Sequence, residues 1–284
     1  MIKNCRISGF SDEISPVIDE QFAHIKTLNI SYFEPRGVDG KNIASLTDED
    51  CRILKSKMDE NGIKVSQIGS PIGKVDIEGN FDEHFEKFKR QCEITHKLDA
   101  DRIRMFSFFM PKEKDPAIFK NQVIEYLSKM VEYAEKEKIV LAHENEKGIY
   151  GDIAPRCLDL FKAIKSDYFT CVFDPANFVQ CNQDTLQAYE MLNEYISYMH
   201  IKDALCNGDV VPAGMGVGNV KEILTRLDKK GYEGFLSLEP HLGSFDGLSN
   251  LEKDDKMLSL EKSDSGKYTI AYNALVNIIN EIGA

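Results

Sequence analysis

Four short stretches of the chain end in side chains able to bind a metal ion: IVLAHENEKG (139–148), TCVFDP (170–175), YMHIK (198–202) and GFLSLEP (234–240). Each begins apolar, as a buried strand does, and then delivers a carboxylate or an imidazole: Glu144, Asp174, His200 and Glu239. Successive side chains of a strand point to opposite faces. Glu144 shares its face with Ala142, Asp174 with Val172, and Glu239 with Ser237. Leu141, His143, Cys171, Phe173, Met199, Ile201, Leu236 and Leu238 fall on the other face. Three carboxylates and an imidazole converging in a buried place repel one another and lose hydration, and a divalent cation offsets most of that cost. The expectation is therefore a site for one divalent metal ion. An oxygen-rich set with one imidazole suits Mn2+ first, with Mg2+, Co2+ and Zn2+ as alternatives.

Such an ion, chelated by adjacent carbonyl and hydroxyl oxygens of a substrate, would stabilise the enediolate formed when the carbon beside the carbonyl loses a proton. One carboxylate can take that proton and another can return it. Return to the opposite face of the same carbon is epimerisation, and return to the neighbouring carbon is aldose–ketose isomerisation. Loss of a β-hydroxyl from the same intermediate is dehydration. The ligand types alone are compatible with all three.

The elements that must position these groups alternate along the chain. Eight β-rich runs occur, at 5–10, 30–35, 64–69, 102–109, 139–144, 170–175, 198–202 and 234–240. Amphipathic stretches separate them, with start and stop signals such as Ser15-Pro16, Thr47 before Asp48, Asp115-Pro116 and Asn61-Gly62. A last helix lies in YTIAYNALVNIINEIGA (268–284). Strand then helix, about eight times over, predicts a (β/α)8 TIM barrel, with function at the C-terminal ends of the strands. The rival is an open doubly wound sheet, which usually carries a Gly-rich turn after its first strand; GFSDEIS (9–15) is not one. The expectation is one domain over 1–284, with a polar insertion at about 243–267 before the final helix.

The formal net charge of −12 and the lack of a basic patch argue against a nucleic-acid or anionic-membrane surface. No window approaches the roughly 18 apolar residues of a membrane span, and the start MIKNCRISGF has no long apolar core of a signal peptide, so the cytoplasm is the expected location. Seven cysteines without a CxxC pair read as free thiols, neither a disulfide framework nor a structural zinc site. A homo-oligomer is compatible with the sequence.

The pieces LAHENEKG, VFDPANF, MHIKDA, VPAGMGVGNV and LSLEPH resemble the xylose-isomerase-like barrels of the sugar phosphate isomerase and epimerase family over nearly the whole chain. The resemblance implies that Glu144, Asp174, His200 and Glu239 bind one divalent ion, and that Glu144 and Glu239 also transfer protons. It implies a metal-dependent isomerase or epimerase acting on a sugar, sugar phosphate or related polyol ketone. A lyase of the inosose or dehydroshikimate dehydratase kind is the alternative. Some epimerases of the family carry a His three residues after the Asp ligand and an Arg six after the His ligand; here those positions hold Asn177 and Cys206. Nucleases of the superfamily need extra histidines, and this chain has six in all, none on the third or fourth strand. A non-catalytic barrel would not need both glutamates.

Substrate contacts are expected from Lys202, which shares the inward face with His200 and should open into the metal cavity unless it serves a structural salt bridge. Asn177, Glu34 and Arg36 after the second strand, and Lys74 after the third, are further candidates, with Glu146 a rim neighbour. The loop PAGMGVGNV (212–220) offers either a phosphate nest or a tight turn. The aromatic run FSFF (106–109) reads as core and pocket wall.

Overall fold

The structure, a computed structural model, describes residues 5–245 and 261–283. Eight parallel strands alternate with helices: β1 (Arg6–Gly9), β2 (Tyr32–Phe33), β3 (Lys64–Val65), β4 (Arg102–Met105), β5 (Val140–Glu144), β6 (Phe169–Phe173), β7 (Ile196–Ile201) and β8 (Phe235–Leu238). Ladder pairing runs continuously through β1, β8, β7, β6, β5 and β4, and β2 pairs with β3. Backbone hydrogen bonds close the two remaining seams, with Ile68 N–H donating to Arg102 O at 2.9 Å between β3 and β4. Glu34 N–H donates to Gly9 O at 2.9 Å, and Arg104 N–H donates to Ile68 O at 2.9 Å. The ring is thereby complete, as the alternating pattern predicts.

Among the described residues the helices are α1 (Ile18–Thr27), α2 (Asp48–Asn61), α3 (Phe81–Lys97), α4 (Lys120–Glu137), α5 (Ala154–Ala163), α6 (Pro175–Gln180), α7 (Thr185–Leu192), α8 (Val220–Lys229) and α9 (Ser265–Gly283). Their apolar stripes and the outward strand residues, Leu141, Cys171, Phe173, Met199, Ile201, Leu236 and Leu238 among them, form the main core. A second, small cluster of Ala142, Val172, Tyr198 and Phe235, with Tyr32 beside it, fills the barrel interior below the functional end. No helix among the described residues is long and apolar enough to cross a membrane.

Three expectations shift on inspection. The strands expected at 30–35 and 64–69 keep two ladder residues each; in the first, Ile30 N–H is spent on the end of α1 and Pro35 has no N–H to give. The strand expected at 102–109 ends at Met105. Beyond it the chain turns, with Phe108 in the left-handed region at φ 67°. Phe106 N–H and Phe108 N–H donate across to Ile72 O and Gly73 O at 2.8 and 3.0 Å. Gly73 sits at φ +88°, where a Cβ would lie 2.0 Å from Phe106 O, so only glycine fits this approach. Helix α1 starts at Ile18, not at Ser15-Pro16, because Asp39 Oδ1 accepts the Ile18 N–H at 2.9 Å. Most of the polar insertion falls outside the described residues; its flanks meet where Ser244 N–H donates to Glu261 O at 2.9 Å.

Helix α2 carries the expected signals at both ends. Asp50 N–H donates to Thr47 Oγ1 at 3.1 Å and Thr47 N–H donates to Asp50 Oδ2 at 2.9 Å, a reciprocal capping box. Gly62, at φ 67°, ends the helix. Thr47→Ala should cost about 1 kcal/mol, read as a lower urea midpoint at unchanged slope. An unchanged midpoint would show that tertiary contacts alone hold the helix end.

Candidate metal centre

Glu144, Asp174, His200 and Glu239 each bring one ligand-type atom to within 4.8 Å of the others, and all four are buried. Each comes from a different strand end. Glu144 closes β5, Asp174 follows β6, His200 lies in β7 and Glu239 follows β8. The alternation that turns them inward sends His143 into the helix layer, where Nε2 lies 2.9 Å from Ser107 Oγ and burial lowers its pKa to about 3. Asn145 clamps two of the loops together. Its Nδ2 donates to Asp174 O at 2.9 Å and Asp174 N–H donates to Asn145 Oδ1 at 3.0 Å. Asp174 Oδ1 also caps α6 by accepting Asn177 N–H at 2.9 Å, which leaves Oδ2 facing the cluster.

Lys202 differs from its expectation. Its ammonium lies 3.0 Å from Glu239 Oε2 and 3.1 Å from Asp174 Oδ2, and the side chain is 3% exposed. It belongs to the cluster itself, because buried carboxylates draw the nearest cation. Arg104 is a second cation, absent from the sequence-based candidates. It points inward from β4, with Nη1 3.2 Å from Glu144 Oε2 and 3.6 Å from Glu239 Oε1. Its inward parity, opposite to Ile103 and Met105, was the available signal.

These neighbours set the protonation of the group. Burial pushes the Asp174 carboxyl up to about 7 against the pull of Lys202. Burial acts the same way on Glu239, but Lys202 and the other cations hold it well below the usual carboxylate range. For His200 burial opposes the charge, whereas Glu144, Glu34 and Glu239 together raise its pKa well above the ordinary value.

Glu34, expected at the rim, is fully buried beneath His200 and accepts from Ser237 Oγ at 2.6 Å, Gln67 Nε2 at 2.8 Å and Tyr198 OH at 3.0 Å. It lies there because the barrel interior at that level is polar and the residue faces inward. Arg36 does reach the mouth, but it is held. It pairs with Asp12 through two bonds of 2.9 and 3.0 Å, approaches Glu13 and Glu239 at 3.3 Å, and lies between the Phe10 and Phe245 rings. Lys74 pairs with Glu146 at 3.0 Å and stands over the Phe106 ring at 4.5 Å. Asn177 is buried, its Nδ2 donating to Asn145 O at 2.9 Å and to Glu144 Oε1 at 3.3 Å. Asp12, Glu13 and His241 also escaped sequence reasoning. Burial lifts the Glu13 carboxyl to about 8.

The glycine loop forms a nest for an internal anion. Ala204, Gly214, Gly216 and Gly218 N–H groups all donate to the Asp203 carboxylate, at 2.8 to 3.0 Å. A phosphate has no place there while Asp203 fills it.

Three oxygen donors and one ring nitrogen fit a hard divalent ion. Asp174 Oδ2 is buried and faces the cluster, with the Lys202 ammonium 3.1 Å away as its ion-pair partner. Residues 22–258 match the family described as Xylose isomerase-like TIM barrel. The chain belongs to that family. Its structure resembles a D-tagatose 3-epimerase-like protein (TM-score 0.76, 16% identity, 98% of both chains). It also resembles the probable 3-DHS dehydratase of petrobactin synthesis from Bacillus anthracis (0.72, 14%, 96% of this chain and 99% of that one). A third likeness is to a xylose isomerase-like TIM barrel protein from Mycobacterium smegmatis in complex with magnesium (0.72, 15%, 99% and 98%). At these identities the likeness is one of fold. No curated protein matches the chain by sequence.

The raised pKa of Asp174 has a sign. A carboxyl near 7 in the folded chain and 3.8 as its ordinary value binds its proton more tightly when folded. Its contribution to stability is therefore present below about pH 4 and lost as pH rises through about 7. With chelator present, Asp174→Asn, which keeps the cap oxygen, should gain stability relative to the native chain between pH 5 and pH 8, by up to about 1.4 kcal/mol per pH unit. Urea unfolding at both pH values checks it, and a difference independent of pH would contradict it.

Proposed function

We propose that the protein is a divalent-metal-dependent isomerase or epimerase of a sugar, sugar phosphate or related polyol ketone. The observation that carries the reading is the convergence of Glu144, Asp174, His200 and Glu239 within 4.8 Å at the functional end of a barrel of this family. Mn2+ is the ion the donor set suits first, with Mg2+, Co2+ or Zn2+ able to replace it. When bound, the ion polarises the substrate carbonyl and steadies the negative charge that follows proton loss.

The chain's own residues supply the proton movements. Glu144 and Glu239 stand on strands separated by two others, so a substrate between them meets a carboxylate from each side. One removes the proton beside the carbonyl, and the other returns a proton. Arg104, in reach of both glutamates, and Lys202, in reach of Glu239, hold these carboxylates in place. Asn177 fixes Glu144 from the other side.

A lyase that expels a β-hydroxyl from the same intermediate is the second reading. It is favoured by the two positions that depart from the ketose epimerases. Asn177 is tied to Glu144 and Asn145, and Cys206 is exposed, so neither supplies the His and Arg of those enzymes. Incubating the metal-loaded protein in D2O with ketoses, their phosphates, inososes and dehydroshikimate separates the readings. Deuterium beside the carbonyl without loss of water marks isomerase or epimerase chemistry, and an unsaturated product marks the lyase.

Glu144→Gln and Glu239→Gln retain an oxygen for the ion but lose the basic group. Each should lower turnover by at least about 100-fold, with a smaller loss of metal affinity measured by chelator competition. Near-native turnover and deuterium exchange in both metal-saturated variants would remove the two-glutamate mechanism.

A further inference from the structure

A histidine offers a metal ion one nitrogen, and the hydrogen bond made by the other decides which. In His200 the two ring nitrogens face different company. Nδ1 points into the ligand cluster, 2.8 Å from Glu144 Oε1 and 3.4 Å from Glu239 Oε2. Nε2 points down the barrel, 3.3 Å from each oxygen of Glu34. Phe10 and Tyr198 stand edge-on to the ring, at 5.2 and 5.8 Å between centroids, and hold its plane.

Glu34 can only accept there. Ser237, Gln67 and Tyr198 already donate to its two oxygens, and Ser66 Oγ, 2.8 Å from Tyr198 OH and 2.6 Å from Ser8 Oγ, extends the network toward the barrel floor. An acceptor-only carboxylate facing Nε2 requires the hydrogen to sit on Nε2. Nδ1 faces a second acceptor, Glu144 Oε1 at 2.8 Å, and its lone pair would become available to the cluster once that carboxylate turned to an ion.

We propose that Glu34 is a positioning residue that locks His200 in the Nε2–H tautomer and thereby makes Nδ1 the metal-binding nitrogen. This rests on the reading of the cluster as a metal centre. Glu34 touches no substrate in this scheme, in contrast to the rim role its sequence position suggests.

Glu34→Gln tests it, because the amide can donate to Nε2 and so move the ring hydrogen to Nδ1, where it blocks the ion. Affinity for Mn2+ and Co2+, measured by chelator competition, should fall 10- to 100-fold, and the visible absorption of the Co2+-loaded variant should change. Ser8→Ala, which alters the same network without touching Glu34, should keep native affinity. In the Zn2+-loaded native protein, 15N spectra of the histidine ring should show His200 protonated at Nε2, a measurement that needs no variant to fold. Native metal affinity in folded Glu34→Gln, equal losses in Glu34→Gln and Ser8→Ala, or a proton on Nδ1 in the loaded native protein would each overturn the proposal alone. A native protein that takes up no divalent ion would overturn the metal centre beneath it as well.

Discussion

Buried carboxylates outnumber buried cations at the mouth of this barrel, and the rest of the site is arranged around that imbalance. Among the described residues in and beneath it, Asp12, Glu13, Glu34, Glu144, Glu146, Asp174 and Glu239 lie close to Arg36, Lys74, Arg104 and Lys202, so these carboxylates lead by three charges, while the Asp203 carboxylate is held apart by backbone N–H groups. Removing a carboxylate from water without a partner costs several kcal/mol or more, by order of magnitude. A divalent ion held by the cluster would offset two of the three charges. A proton kept on Glu13, whose pKa burial lifts to about 8, offsets the third. Within the cluster, burial lifts the Asp174 carboxyl to about 7, and the carboxylates hold the His200 imidazole well above its ordinary pKa.

The barrel supplies what such a cluster needs, which is rigidity around a small volume. Neighbouring strands fix relative height through ladder register, as where Ser237 pairs with His200 and Glu144 with Val172. Side-chain bonds then fix what register leaves loose: Asn145 between two strand ends, Asp203 gathering the glycine loop, Glu34 below the imidazole. Ladders of main-chain bonds place the residues, and buried polar contacts aim them. Only a few positions tolerate such an arrangement without core to back them, and here the small Ala142, Val172, Tyr198 and Phe235 cluster is that backing.

Much of this was legible in the sequence, for identifiable reasons. Strand alternation is a strict two-residue period, so the inward direction of Glu144, Asp174, His200 and Glu239 could be read without coordinates. Helix ends written in side-chain chemistry, such as Thr47 and Gly62, were legible too. Depth was not. Glu34 and Arg36 stand two residues apart after the same strand, yet one lies beneath the His200 imidazole and the other at the mouth between two phenyl rings. Nor was partnership. Lys202 reads as a substrate contact until Glu239 and Asp174 are seen at 3.0 and 3.1 Å from its ammonium. Arg104 hid in a run dominated by aromatic residues, though the same parity argument reaches it.

The same pairing bears on what the mouth can receive. Arg36 is engaged by Asp12 and Glu239, Lys74 by Glu146, and Lys202 by Asp174 and Glu239, while Asp203 fills the glycine nest. A phosphate approaching any of these groups must displace an internal carboxylate, which would then lose both its partner and its hydration. Hydroxyl groups face no such barrier, since each can donate to a carboxylate while the ion pair beside it stays intact. Among the described residues, the cations named here therefore serve the internal carboxylates first.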